Sequence, residues 1–300
     1  MTITKYAKYF FILPVALSIV SAVLLVMWGL RPGIDLAGGS LLEVSYTDGR
    51  PTAEQAHAAV DTLGFGEVRV QPTGENNYLL RQRDLTNDEK NTLEAALGKL
   101  GTMKEEQYNS VGPTIGAELV NKAWIAITLV VLCIIAFIAF AFRGVSKPVA
   151  SWKYGVVAII TLLHDILLPL GLFAALGHFA GAEVDALFIV ALLTILGISI
   201  NDTIVVFDRI RENLRLNEER HKREVYEEVV GRSILQTLAR SINTSLTVII
   251  VLCSLYFLGP ESTKNFALTL IVGMIAGTYS SIFLASPLLV AWDKFSSKNK

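Results

Sequence analysis

The apolar residues of this chain gather in long runs instead of recurring at amphipathic spacing. A run of about 18 or more apolar residues is long enough to cross a bilayer as a helix. Six such runs occur, roughly from Tyr9 to Leu30, Leu119 to Phe142, Tyr154 to Leu176, Ala186 to Phe207, Ile234 to Leu258 and Phe266 to Trp292. The first follows Lys5 and Lys8, as a signal peptide would. Its apolar stretch exceeds the roughly 7–15 residues of a signal h-region, and no small-residue cleavage site follows. It reads as a retained anchor.

Between the first two runs the pattern changes. LLEVSY from Leu41 alternates as a strand, and Thr52 with Gln55 forms a capping box for a helix ending near Gly64. EVRVQ and NYLLRQ read as two strands joined by a turn containing Pro72, Gly74 and Asn76. Thr86 with Glu89 is a second capping box, Gly101 stops that helix, and MKEEQY from Met103 is a last strand. The order βαββαβ predicts a ferredoxin-like unit. The fold class is therefore a polytopic α-helical membrane protein, with six transmembrane helices plus an α+β ferredoxin-like domain.

Lys and Arg in short loops set the orientation. They gather at Lys5 and Lys8, at Arg143, Lys147 and Lys153, at Arg209, Arg211, Arg215, Arg220, Lys222, Arg223 and Arg232, and at Lys294, Lys298 and Lys300. The opposite connections hold none near His178 and only Lys264 after Gly259. Both termini are expected to be cytoplasmic. Residues 1–30 then hold the N-terminus and first span, and 31–118 form an external domain. Residues 119–300 form a five-helix region, with a cytoplasmic loop at about 208–233. Trp28, Trp124, Trp152 and Trp292 lie near span ends, where amphipathic rings meet headgroups and membrane lipid. The stretch from Asp208 to Val230 carries seven acids and six bases. It fits either a surface helix along the membrane or a solvated linker.

Composition agrees with this pattern. Hydrophobic residues make up 52% and charged residues 18% of 300, and the mean hydropathy is +0.50. Disorder requires the reverse. The net charge of −1 gives no basic surplus for nucleic acid. The external segment holds 8 basic and 14 acidic residues, a charge of −6 that serves solubility. Cys133 and Cys253 lie in apolar runs and read as small buried hydrophobes, with no disulfide framework. GxxxxGK[ST], HExxH and GxSxG are absent, and His57, His178 and His221 have no ligand partners at metal-binding spacing. The chain is expected not to be an enzyme and to need neither metal nor cofactor.

The chemistry lies in polar residues inside the spans, where an ionisable group costs roughly 2.5–3.5 kcal/mol at mid-helix. The third run carries His164 and Asp165, and the fourth carries Ser199, Asn201, Asp202 and Thr203. The fifth carries Gln236, Arg240, Asn243, Thr244, Ser245 and Thr247, of which Arg240, Asn243, Thr244 and Thr247 share a helical face by their i, i+3, i+4, i+7 spacing. That face is expected to turn toward the bundle interior. Asp202 and Arg240 each lie about seven residues, or ~10 Å, from the same membrane side and can pair there. Two uses fit these residues, an ion relay and a static clamp of buried hydrogen bonds. Two acids, a histidine and an arginine in three helices favour the relay. The GxxxG of Gly273 and Gly277 permits close helix approach but also arises by chance in apolar spans.

At these residues the chain resembles the SecF family, the smaller membrane subunits of the SecDF accessory complex of bacterial protein secretion, within the resistance–nodulation–division superfamily. The likeness rests on GIDLAGG from Gly33, VGPTIGAEL from Val111, the pair His164–Asp165, GISINDTIVVFDRIREN from Gly197 and ARSINTS from Ala239. GIDLAGG has Leu36 and Ala37 where the family pattern has Phe and Thr. The resemblance implies assistance to Sec-dependent translocation, driven by the proton motive force or, in some members, by sodium. It maps the family's intramembrane acid onto Asp202 and its arginine onto Arg240, with His164 and Asp165 as further relay groups. It implies as partners SecD, the SecYEG translocon and a translocating unfolded polypeptide, and a place in the bacterial cytoplasmic (inner) membrane. The alternatives are a small-solute exporter subunit of the same superfamily and a non-transporting translocon scaffold.

Overall fold

The computed structural model describes residues 7–66, 68–141, 151–222 and 224–298. Lys5, Arg143, Lys147, Arg223 and Lys300, used above for orientation, lie outside them. The chain divides into two compact units, one formed by residues 1–31 with 126–300 and the other by residues 32–125.

The smaller unit begins with a short helix that leads into a sheet. The first long helix, α1 (Ala7–Trp28), is followed by α2 (Ile34–Ala37), β1 (Gly39–Tyr46), α3 (Ala53–Asp61), β2 (Arg69–Thr73), β3 (Asn77–Gln82), α4 (Asn87–Gly98) and β4 (Met103–Val111). The four strands form one antiparallel sheet in the order β2-β3-β1-β4. Alternation decides its faces. Leu42, Val44 and Tyr46 of β1 and Tyr78 and Leu80 of β3 are buried, and α3 and α4 cover them with Ala56, Val60, Leu93 and Leu97. Both capping boxes form as read: Thr52 and Thr86 each accept from the backbone N–H three residues on, and Gln55 and Glu89 reach back. A register shift between Glu43 and Val44 leaves Glu106 unpaired opposite β1. The glycine pair before β1 answers two contacts. Gly38 has φ +80 and a Cβ there would come within 2.7 Å of Pro113 Cα; Gly39 has φ +136 and its Cβ would meet the Gln82 carbonyl at 2.6 Å.

Among the described residues six helices are long and apolar enough to cross a membrane, as read from the sequence. After α1 come α5 (Pro113–Ala141), α6 (Ser151–Ala180), α7 (Ala186–Glu219), α8 (Tyr226–Leu258) and a last span made of α9 (Glu261–Ser280), a π-turn (Ser281–Ala285) and α10 (Ser286–Lys298). In the larger unit α6, α7 and the last span are the most buried, while α1, α5 and α8 keep mostly exposed windows. Tyr154, Phe207, Ile234 and Leu289 anchor the shared core. Exposed apolar side chains such as Leu129, Leu132 and Phe137 suit a lipid environment.

Two expectations change. The stretch after Asp208 is neither a surface helix nor a linker, because α7 continues to Glu219 and α8 starts at Tyr226. At ~1.5 Å per residue a 34-residue helix runs about 51 Å, well beyond a ~30 Å hydrocarbon core. The charged stretch is thus the projecting end of a helical hairpin. Cys133 is exposed and Cys253 intermediate, so neither is the buried hydrophobe expected. Cys133 sits on the outward face of an apolar helix and Cys253 is half-buried, and a thiol is as acceptable there as in a core.

Candidate functional site

The buried polar groups of the larger unit centre on two acids. Asp165, in the middle of α6, is fully buried and His164 is 4% exposed. One carboxylate oxygen, Oδ1, lies 2.8 Å from His164 Nδ1. The other, Oδ2, accepts from Ser199 Oγ of α7 and, at 2.9 Å, from Ser280 Oγ at the end of α9. One carboxylate thereby joins three helices. His164 Nε2 is buried with no hydrogen-bond partner.

Asp202 lies about one turn along α7 from Ser199 and is 6% exposed. It edges a narrow crevice with Ile195 and Ser199 of α7 and Gly273, Met274, Gly277 and Thr278 of α9. Both glycines of the GxxxG face α7. A Cβ at Gly273 would overlap Ile195, and one at Gly277 would lie 3.0 Å from Ser199 Cβ. The motif therefore sets how closely α9 approaches the acids. Ser245 of α8 is the polar side chain facing Asp202, and Ser245 Oγ in turn shares a hydrogen bond with Thr278 Oγ1. Thr203 Oγ1 and Ser281 Oγ, 3.0 Å apart, tie α7 to the start of the π-turn.

The polar face of α8 is the main correction. Arg240, Asn243, Thr244 and Thr247 do share a face, but that face is exposed. The inward face carries Thr237, Ser241 and Ser245, four residues apart. Small side chains let α8 close against α7 and α9, and the larger polar groups are left outside. Arg240 and Asp202, which were expected to pair, form no ion pair within 4.0 Å. Asn201 is likewise exposed on α7. The structure thus gathers Asp165, His164, Ser199, Asp202 and Thr203, and leaves Arg240, Asn201, Asn243, Thr244 and Thr247 on outer faces. It adds Thr278, Ser280 and Ser281, which sequence reasoning left out of the site, and it brings in Ser245, which was named among the polar residues of its span but not on the predicted face. The run GTYSS from Gly277 was the available signal, a polar cluster directly after the GxxxG.

Beyond the apolar segment a second network holds the α7–α8 hairpin. Asn213 Nδ2 donates to Ser233 Oγ and Gln236 Oε1, both at 2.8 Å. Asn217 Nδ2 and Arg232 donate to Glu224 at 2.9 and 2.8 Å. The Asn217 hydrogen bond, with Arg232 adding, holds the Glu224 carboxyl below its ordinary value. Among the described residues no three His, Cys, Asp or Glu side chains gather as a metal site requires.

Residues 92–295 match the family model described as "Protein export membrane protein SecD/SecF, C-terminal", and residues 24–49 match "SecD/SecF GG Motif". The protein translocase subunit SecF of Thermobaculum terrenum is 42% identical over 97% of this chain and 93% of its own length. The protein translocase subunit SecDF of Bacillus subtilis is 34% identical over 95% of this chain, which spans 38% of that protein. A crystal structure of SecDF from Thermus thermophilus superposes with a TM-score of 0.84 at 32% identity, covering 100% of this chain and 39% of that one. SecDF in a "Super-membrane-facing form" gives 0.71 at the same identity and coverage.

Proposed function

Because this chain belongs to the SecD/SecF family of protein export membrane proteins, we propose that it is one half of a SecDF-type unit that uses a proton or sodium gradient to assist Sec-dependent polypeptide translocation. Asp202 takes up and releases the coupling ion. The observation that carries this reading is an acid only 6% exposed inside a membrane-spanning helix of a translocase-family chain. An ionisable group there is costly and is retained for what it does. Ser245 and the more distant Arg240 supply a hydroxyl and a positive charge whose positions change as the helices shift. Asp165 with His164 forms the second polar centre of the same relay. The unit binds and moves; it makes no covalent bond and uses no cofactor besides the coupling ion.

The exposed face of α8 supports a partner. An arginine turned toward lipid within a span is costly, so this face calls for a protein cover. A SecD-like subunit carrying the other six helices supplies it, and the pair works at the SecYEG translocon. We read the smaller unit as ferredoxin-like, supported by its strand order and by the two helices on one sheet face. We place it outside the cytoplasm with both termini inside, as the Lys and Arg pattern indicates. There it moves against the translocating chain when the bundle responds to the ion.

The test is export into vesicles under an imposed proton or sodium gradient. Wild type should speed with one of the two ions. Asp202→Asn, which keeps shape and hydrogen bonding but cannot ionise, should insert and assemble yet show no acceleration. Acceleration equal to wild type would leave the buried polar groups as a static clamp.

A further inference from the structure

Ser280 belongs to none of the sequence motifs, yet it is fully buried and stands at a junction. Its Oγ lies 2.9 Å from Asp165 Oδ2 and 3.1 Å from the carbonyl of Gly277 in its own helix. The next residue opens the π-turn Ser281–Ala285. Ser281 Oγ reaches the Gly277 carbonyl at 2.7 Å and Thr203 of α7 at 3.0 Å, and Ser286 Oγ donates to the Ser281 carbonyl at 3.2 Å. A π-turn holds one more residue than the α-helix it interrupts, and such turns are frequent at functional sites. If the turn resolves or migrates, everything after it rotates by about 100° and shifts by about 1.5 Å.

The geometry points to Ser280 as a positioning residue of the intramembrane site, whose hydrogen bond to Asp165 is a latch that sets the π-turn and is released when that acid takes up a proton. This rests on the ion-relay reading above and names its regulation. An ionised carboxylate only accepts, so its two oxygens serve His164, Ser199 and Ser280 together. A protonated one must donate from one oxygen, and on Oδ2 a serine then loses its acceptor. Ser280 can give up Asp165 without becoming an orphan, because its hydroxyl turns to the Gly277 carbonyl already within reach. Both positions of the latch are therefore satisfied, as a two-state element requires. The titratable side chain against Asp165 is His164 on the same helix; α7 and α9 meet it with serines, and Asp202 is the next acid, about one turn along α7.

The moving part is α10. It carries Trp292, which packs edge-on against Trp152 of α6, and Lys294, whose Nζ lies 2.5 Å from Glu227 of α8. A change at Asp165 thus reaches the end of the bundle that bears the α7–α8 hairpin.

Spin labels at Phe295, 70% exposed, and Arg215 report the α10 to α7 distance. The full chain is assembled with its membrane partner in lipid vesicles, with Cys133 and Cys253 replaced. Wild type should show two distance populations whose weights change between acidic and alkaline buffer. Ser280→Ala should lose that response while staying assembled, and Ser280→Thr, which keeps the hydroxyl, should restore it. Asp165→Asn should also be unresponsive. A wild-type distance that does not respond to pH, or a Ser280→Ala response equal to wild type, overturns the latch. Gradient-driven export by Asp202→Asn in the same membranes judges the relay separately, since the α10 distances judge the latch whatever that export shows.

Discussion

Asp165 and Asp202 are both acids inside membrane-spanning helices, and their surroundings differ. Asp165 is fixed by donors on three helices. Asp202 has a serine before it, a distant arginine and a crevice beside it. Residue type alone revealed both acids, since a carboxylate in an apolar run is conspicuous. Spacing alone misassigned Arg240 and its neighbours. Periodicity fixes which residues share a face, but which face turns inward depends on how closely the neighbours pack, and here the serines and threonine of α8 won that contact. Of the two serines on Asp165, Ser199 was read and Ser280 was not, because a hydroxyl in an apolar helix usually bonds its own i−4 carbonyl. Gly273 gives a prediction at this scale. An added Cβ would meet Ile195, so Gly273→Ala should destabilise the bundle by about 1–3 kcal/mol through overpacking, despite alanine's better helix propensity. Thermal unfolding of the purified protein in detergent measures it; an unchanged or raised midpoint would mean α9 can stand off from α7.

At the scale of elements, the clearest forecast was α4. Thr86 and Glu89 form both bonds of the capping box, and Arg83 also pairs with Glu89. The Arg83 hydrogen bond first, then the Thr86 backbone N–H, lower the Glu89 carboxyl from 4.5 to about 2. A folded value below the unfolded one means the charged form stabilises the fold. That contribution is complete above pH 4.5 and is lost as pH falls toward about 2. Amide exchange in the first turn of α4 should therefore accelerate, relative to later turns, as pH drops through this window. Thr86→Ala should weaken the same turn by about 1 kcal/mol at neutral pH. Equal protection in wild type and Thr86→Ala would remove the cap from the account. Capping was legible because it is a local pattern of four residues. The continuation of α7 past Phe207 was not. Its polar end is held by contacts made far along the chain, Asn213 to Ser233 and to Gln236, which no local window contains.

For the whole molecule, hydropathy was decisive for the number of spans, and the family motifs added the partner that a lone bundle calls for. The exposed Arg240 face turns that into a prediction. Asn243→Cys and Thr247→Cys, one helical turn apart on α8, should resist a membrane-permeant maleimide in native membranes containing a SecD-like subunit and react when that subunit is depleted. Equal reactivity in both would mean the face meets lipid or water, not protein. Reporter fusions after Gly74 and after Glu218 should read as external and cytoplasmic respectively; opposite signals would reverse the orientation.

The central claim is that an ion enters and leaves at Asp202. It is tested most directly by ion uptake into lipid vesicles holding the purified chain with its SecD-like partner under an imposed proton or sodium gradient. Wild type should take up one of the two ions above the rate of empty vesicles, and Asp202→Asn, reconstituted at the same density, should fall to that background. Uptake by Asp202→Asn at the wild-type rate would contradict the claim and place the ion path elsewhere.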